Sequence, residues 1–206
     1  MATFLELQNE VLNHGFDQSV YRARIKNWLN EAQGRISRIL ELPELYNTTT
    51  ITTIVGTDTY SLANNVIRIN GLTNASSPNE LTYVEDPADI NYYNNNGQSM
   101  GEPQYYTFTG SNLRLSPVPD AVYSLTMDFY GGATVLTMDD DVSSIPSDYH
   151  DLMISYALSR AYRSEDDPQM SQFFYSEFMR DLQMLGADRQ SVVRDGPRQV
   201  PGMWNL

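Results

Sequence analysis

Apolar residues return every three or four positions at both ends of the chain and every second position in its middle. Phe4, Leu7 and Val11 within residues 3–13 fall at helical spacing, with Gly15 as a stop, and predict a short first helix. Ile25, Trp28, Leu29, Ala32, Ile36, Ile39 and Leu40 line one face of a longer helix from Gln18 to Leu42, closed by Pro43. Most of its charges, Arg22, Arg24, Lys26, Glu31, Arg35 and Arg38, lie off that face.

After Pro43 the period changes. Thr48–Val55 is a β-branched run, Thr57–Leu62 alternates beyond a Gly56 turn, and Val66–Leu72 and Leu81–Val84 read as further strands. Asp86 and Pro87 predict a short helix to about Tyr93, and Asn94, Asn95, Asn96 and Gly97 a loop. Tyr105–Thr109 and Leu113–Leu115 flank Gly110, Ser111 and Asn112 as a hairpin feeding a strand over Val122–Tyr130. In that strand Tyr123, Leu125, Met127 and Phe129 point to one face and Val122, Ser124, Thr126 and Asp128 to the other.

Helical spacing then resumes. Pro146 and Ser147 introduce a helix with Leu152, Met153, Tyr156, Ala157 and Ala161 inward. Asp167 and Pro168 open another, whose Phe174, Phe178, Leu182 and Leu185 form a stripe ending at Gly186. Beyond Ala187 the residues are mainly polar, with Pro197, Pro201 and Gly202, and read as an extended tail. The expected fold class is α+β: a helical bundle formed by the N- and C-terminal helices, an inserted small antiparallel β domain and an extended C-terminal tail. The boundaries are 1–46 for the N-terminal helices, 47–131 for the β domain, 132–188 for an acidic loop and the C-terminal helices, and 189–206 for the tail.

A length of 206 residues suits one cooperative unit with a sizeable core. No stretch of about 18 apolar residues is present to span a bilayer, and residues 1–20 lack a signal-peptide pattern, so a soluble protein made in the cytoplasm is expected. Cysteine is absent, which removes disulfides, thiolate nucleophiles and the commonest zinc sites. The net charge is −13, opposing a role in gripping phosphates, and it is uneven. Residues 43–159 carry fourteen acids against Arg68 and Arg114, while residues 189–206 hold Arg189, Arg194 and Arg198 against Asp195.

The candidate chemistry is sparse. His14 sits in a turn and His150 in a first helical turn, and the sequence has no Ser-centred elbow, no Gly-rich phosphate loop and no histidine pair at metal spacing. A non-enzymatic protein without cofactor or metal is expected. Asp139, Asp140 and Asp141 lack the glycine and distal glutamate of an EF-hand and read as a solvated acidic loop. Most of the fourteen tyrosines fall at strand positions, where packing explains them. The tail is the sharpest feature, because Trp204 and Leu206 follow three arginines, and tryptophan and arginine are enriched in binding hot spots.

The order of several stretches resembles the head-to-tail adaptor (connector) proteins of tailed bacteriophages. They are Asn30, Glu31 and Ala32 leading to Leu42, Pro43 and Leu45; Gly56, Thr57, Tyr60 and Leu62; Leu113, Leu115, Pro117, Pro119, Asp120 and Tyr123; and Ile145, Pro146, Tyr149, Asp151 and Leu152. The resemblance spans roughly residues 4–185. It implies a ring in the virion neck, dodecameric in such proteins, whose helical layer meets the portal and whose lower face receives a tail, nozzle or other neck protein. Genomic DNA would pass through its lumen without sequence-specific binding. It also implies that the C-terminal segment, with Arg189, Arg194, Arg198, Trp204 and Leu206, docks on the portal, while Asp139, Asp140 and Asp141 are candidates for an acidic channel or interface loop. The competing expectation is a tail-tip or fibre-associated module binding host glycans through its tyrosine-rich β domain.

Overall fold

The computed structural model describes residues 2–63, 65–75, 77–93 and 99–194, with residues 187–194 as backbone only. It is mixed α+β, and its larger sheets are mainly antiparallel. The chain divides into two compact units, Met1–Leu40 with Thr134–Leu206, and Glu41–Ala133.

In the helical unit α1 (Phe4–Leu12) starts from a capping box: Glu6 N donates to Thr3 Oγ1 and Thr3 N donates back to the Glu6 carboxylate. Asp17 caps α2 (Gln18–Ile39) by accepting from Ser19 N at 2.8 Å. Ile25, Leu29, Ala32 and Ile36 are fully buried, as their spacing requires, whereas Trp28 is half-buried and Ile39 is exposed. The helix ends before Leu42 because Leu40 is already extended (φ −100°, ψ 118°), burying its side chain. Pro43 restricts only its own neighbourhood and opens a 3-10 turn over Pro43–Leu45.

A 3-10 turn at Ser147–Tyr149 leads into α4 (His150–Ser164), and Asp166, at φ 56°, turns the chain into α5 (Pro168–Arg194). Asp167 Oδ1 caps α5 by accepting from Met170 N at 3.1 Å. The predicted inward residues of α4 are all buried; on α5, Phe178 and Leu182 are buried while Phe174 and Leu185 are half-buried. The α1 helix packs on α2 and α4, α2 on α4, and α4 on α5. Each fully buried Leu, Ile or Phe here contributes about 1.5–3 kcal/mol relative to exposure.

The stop expected at Gly186 is passed, for α5 continues to Arg194. An interior glycine costs only about 1 kcal/mol relative to alanine. Here it lies in a packed stretch, where an added Cβ would meet Leu40 Cδ2 at 3.4 Å. The expected extended tail therefore has its first residues, 189–194, on a helix, and residues 195–206 lie outside the described residues.

The β unit contains two four-stranded sheets. One runs β1-β10-β3-β4, from Tyr46–Thr52, Ser124–Gly131, Val66–Asn74 and Ser77–Glu80. The other runs β2-β8-β7-β5, from Thr59–Ser61, Asn112–Ser116, Tyr105–Thr109 and Thr82–Tyr83. Leu72, Leu125, Met127 and Phe129 of the first and Tyr106, Leu113 and Leu115 of the second share one core with Leu81. The alternation read in β10 is the burial pattern found: Leu125, Met127 and Phe129 are buried, and Ser124, Thr126 and Asp128 are half-buried.

Three features differ from the sequence reading. The runs on either side of the Gly56 turn lie in different sheets, β1 pairing with β10 and β2 with β8. The segment between them is bonded elsewhere: Thr53 N donates to Tyr123 O and Gly56 N to Pro119 O, both at 2.9 Å. The β7–β8 hairpin, correctly read around Gly110, likewise belongs to the sheet without β10. The unit is also not wholly antiparallel: β5 pairs parallel with β7, and β6 (Met100–Gly101) with β9 (Val118–Pro119). Residues 87–89 form turns, and the helix expected from Pro87 is a single turn, α3 (Ile90–Tyr93). The predicted Asn94–Gly97 loop lies outside the described residues.

Candidate functional site

Asn30, Glu31 and Ala32 are consecutive on α2, so helix geometry aims them about 100° apart, and each does a different job. Ala32 is in the core. The Asn30 amide holds an extended segment, donating to Leu136 O at 2.9 Å and accepting from Leu136 N at 2.8 Å. One turn on, buried Gln33 donates to Thr134 O at 2.7 Å and accepts from Ser143 Oγ at 3.2 Å. Two side-chain amides thus supply the pairing that an adjacent strand would give residues 134–136.

This segment leads into the acidic turn. Asp141 accepts from Thr137 N at 2.6 Å and Met138 N at 2.8 Å, and the Thr137 backbone bond is the main reason its carboxyl is held below the usual value of 3.8. Asp139 pairs with Lys26 Nζ at 2.6 Å and accepts from Gln8, and Lys26 chiefly lowers its carboxyl. Backbone oxygens of the same turn cap the first helix, with Phe4 N donating to Asp141 O and Leu5 N to Asp139 O. Asp140 is exposed and has no hydrogen bond or ion pair among the described residues. Two of the three predicted aspartates therefore build the turn, and the third is presented by it.

Glu31 pairs with two arginines that line a cleft of about 480 Å³ between α2, α4 and α5. Arg35, Arg160 and Arg163 line it with Tyr156 and Tyr175. Arg160 donates to both Glu31 oxygens, at 3.3 and 3.1 Å, and Arg35 to one of them at 3.2 Å. Both guanidiniums also lie over the Tyr156 ring, at 5.1 Å for Arg35 and 5.9 Å for Arg160. Arg163 is exposed and unpaired among the described residues. Tyr156 is 1% exposed with its hydroxyl beside the Glu31 carboxylate, and the buried Arg160 Nε has no hydrogen-bond partner among the described residues. Burial first, and then the nearby Glu31 carboxylate, push the phenol up to about 12, so it stays a neutral donor at ordinary pH.

The sequence reading did not single out this cleft. Arg160 and Arg163 fall near a helix end, and nothing local in the sequence connects them to Arg35.

A family model for the SU10 adaptor protein matches residues 2–201. The chain belongs to this family. It is a family of phage head-to-tail adaptors, and the role it supports for the chain is that of a structural adaptor among phage head and tail proteins. No curated protein matches the chain.

In this adaptor the other predicted residues stand apart from the cleft and the acidic turn. His150 is buried, its Nε2 3.1 Å from Ile145 O, and His14 meets the Phe174 ring edge-on at 5.7 Å. Tyr93 stacks on Tyr105 at 4.3 Å, Tyr106 is in the core, and Tyr92 is exposed. Arg189 and Arg194 lie on α5 with side chains outside the described residues, and Arg198, Trp204 and Leu206 lie outside them entirely. Among the described residues no cluster of three or more His, Asp or Glu is arranged to hold a metal ion, and no helix is long and apolar enough to cross a membrane.

Proposed function

We propose that the chain forms a closed ring, dodecameric as the resemblance implies, in the virion neck. In this reading the helical bundle docks under the portal, the ring extends the DNA channel, and its far side receives the tail, nozzle or next neck protein. The observation that carries the reading is the adaptor-family match across residues 2–201. The charge pattern supports it. The β unit carries ten carboxylates against two arginines, and a negative wall along a conduit repels phosphate, so duplex DNA slides without sticking. The portal anchor is the basic, Trp-bearing C-terminal segment, with Arg189, Arg194, Arg198, Trp204 and Leu206 as its contacts.

Electron microscopy and native mass spectrometry of the chain, alone and mixed with its portal, test the ring. Closed rings are expected, and no high-order species in either sample overturns the reading. Removal of residues 195–206 leaves α5 intact, and loss of portal binding is expected. Full binding by that variant, and by one carrying Arg189→Gln with Arg194→Gln, overturns the tail assignment alone.

A further inference from the structure

The arginine cleft and the acidic turn share no residue, lie on the same helical unit and have complementary chemistry. Three guanidiniums line the cleft against one bonded carboxylate, Glu31. Asp167, close to its rim, is engaged in capping α5. Arg163 and Arg160 Nε are left as donors without acceptors among the described residues. A buried donor without a partner costs roughly 1–3 kcal/mol, so such a group within reach of an open cleft marks a place where an acceptor belongs.

The turn offers that acceptor. Asp139 and Asp141 are bonded within the unit, which fixes the backbone and leaves Asp140 as the carboxylate of the three with no bond among the described residues. Val135, Met138 and Val142 around it are exposed, Met138 by 67%. A rigid turn carrying one free charge among exposed apolar side chains loses little entropy on docking.

We infer that the acidic turn of one copy enters the arginine cleft of a second copy, Asp140 accepting from the Arg163 guanidinium. The contact is heterologous, since two different patches meet, and heterologous contacts propagate into rings when the rotation closes. The inference rests on the ring reading and names the contact between neighbouring subunits. A carboxylate is favoured over phosphate because the arginine pair in the cleft already binds one in Glu31, and because the chain as a whole is strongly acidic.

Sedimentation of the full chain over a concentration series tests it, with circular dichroism as the folding control. Asp140→Asn and Arg163→Gln are each expected to weaken self-association roughly tenfold, the size of a hydrogen bond to a charged group. In the reversed pair, Asp140→Arg with Arg163→Asp on one chain, association recovers beyond either single reversal. Assembly unchanged by Asp140→Asn and Arg163→Gln overturns this contact and leaves the ring reading standing. A wild-type chain that stays monomeric, with or without portal, overturns both. Inorganic phosphate that binds in titration calorimetry and is lost in Arg163→Gln, with assembly unaffected, makes the cleft a phosphate site and overturns the carboxylate assignment.

Discussion

In the helical unit Asp139 holds Lys26, Asp141 closes its own turn, Glu31 joins Arg35 to Arg160, and Glu165 takes the Tyr21 hydroxyl proton in a hydrogen bond. The β unit holds ten carboxylates and two arginines, and among the described residues Arg68 pairs with Glu41 and Arg114 with Asp58. Several others bond neutral groups, as Asp128 does with Thr48, Asp120 with Tyr123 and Glu102 with Asn74. Acids in the helical unit therefore cross-link the fold, while those of the β unit leave a negative field that acts outward. The same residue type serves architecture in one unit and long-range electrostatics in the other, and net charge alone does not separate the two uses.

The largest expected effects test the cores beneath these charges. Phe178→Ala empties a fully buried site against Tyr156 and is expected to cost about 3–5 kcal/mol in urea unfolding, and Leu125→Ala in the β core about 2–5 kcal/mol. Losses well under 1 kcal/mol would mean that the sites collapse and that packing is not what holds either unit.

Next come the buried polar tethers. Gln33→Leu leaves the Thr134 carbonyl without its donor and is expected to cost about 1–3 kcal/mol. Thr53→Val is its β-unit counterpart, since Thr53 Oγ1 donates to Ala121 O and accepts from Tyr123 N, and the same range applies. Equal costs at both positions would show that the two units differ in how they use charge and not in their need for satisfied polar groups. Thr3→Ala, which opens the capping box of α1, is smaller at about 1 kcal/mol by thermal unfolding.

Period alone revealed the helices, the strand carrying Leu125, Met127 and Phe129, and the hairpin around Gly110, because each is decided by neighbours within a few residues. Sheet partners were not legible. Alternation shows that Thr48–Val55 and Thr57–Leu62 are extended, but partner choice depends on residues about seventy positions away, such as Tyr123, which bonds Thr53. The end of α5 was misread because glycine is a weak stop when packing favours continuing the helix. The acidic triplet was visible as a triplet, yet the division of labour within it required Lys26 from another helix. The arginine cleft joins positions 35, 160 and 163, and no local pattern signals such a union.

The smallest effect, and the one that bears most directly on the comparison, concerns pH. Hydrogen bonds from Thr137 and Met138 hold the Asp141 carboxyl below 3.8, and Lys26 does the same for Asp139. A carboxyl whose folded value is depressed binds protons more readily in the unfolded chain, so its contribution is complete above about 3.8 and disappears as pH falls through the lower folded value. Asp141→Asn should therefore lower the melting temperature at neutral pH, and its melting curve should converge on that of the wild type as pH falls below about 3.8. A gap between Asp141→Asn and wild type that stays constant with pH would assign the Asp141 contribution to shape instead of charge. The helical unit's acids would then no longer differ in kind from those of the β unit.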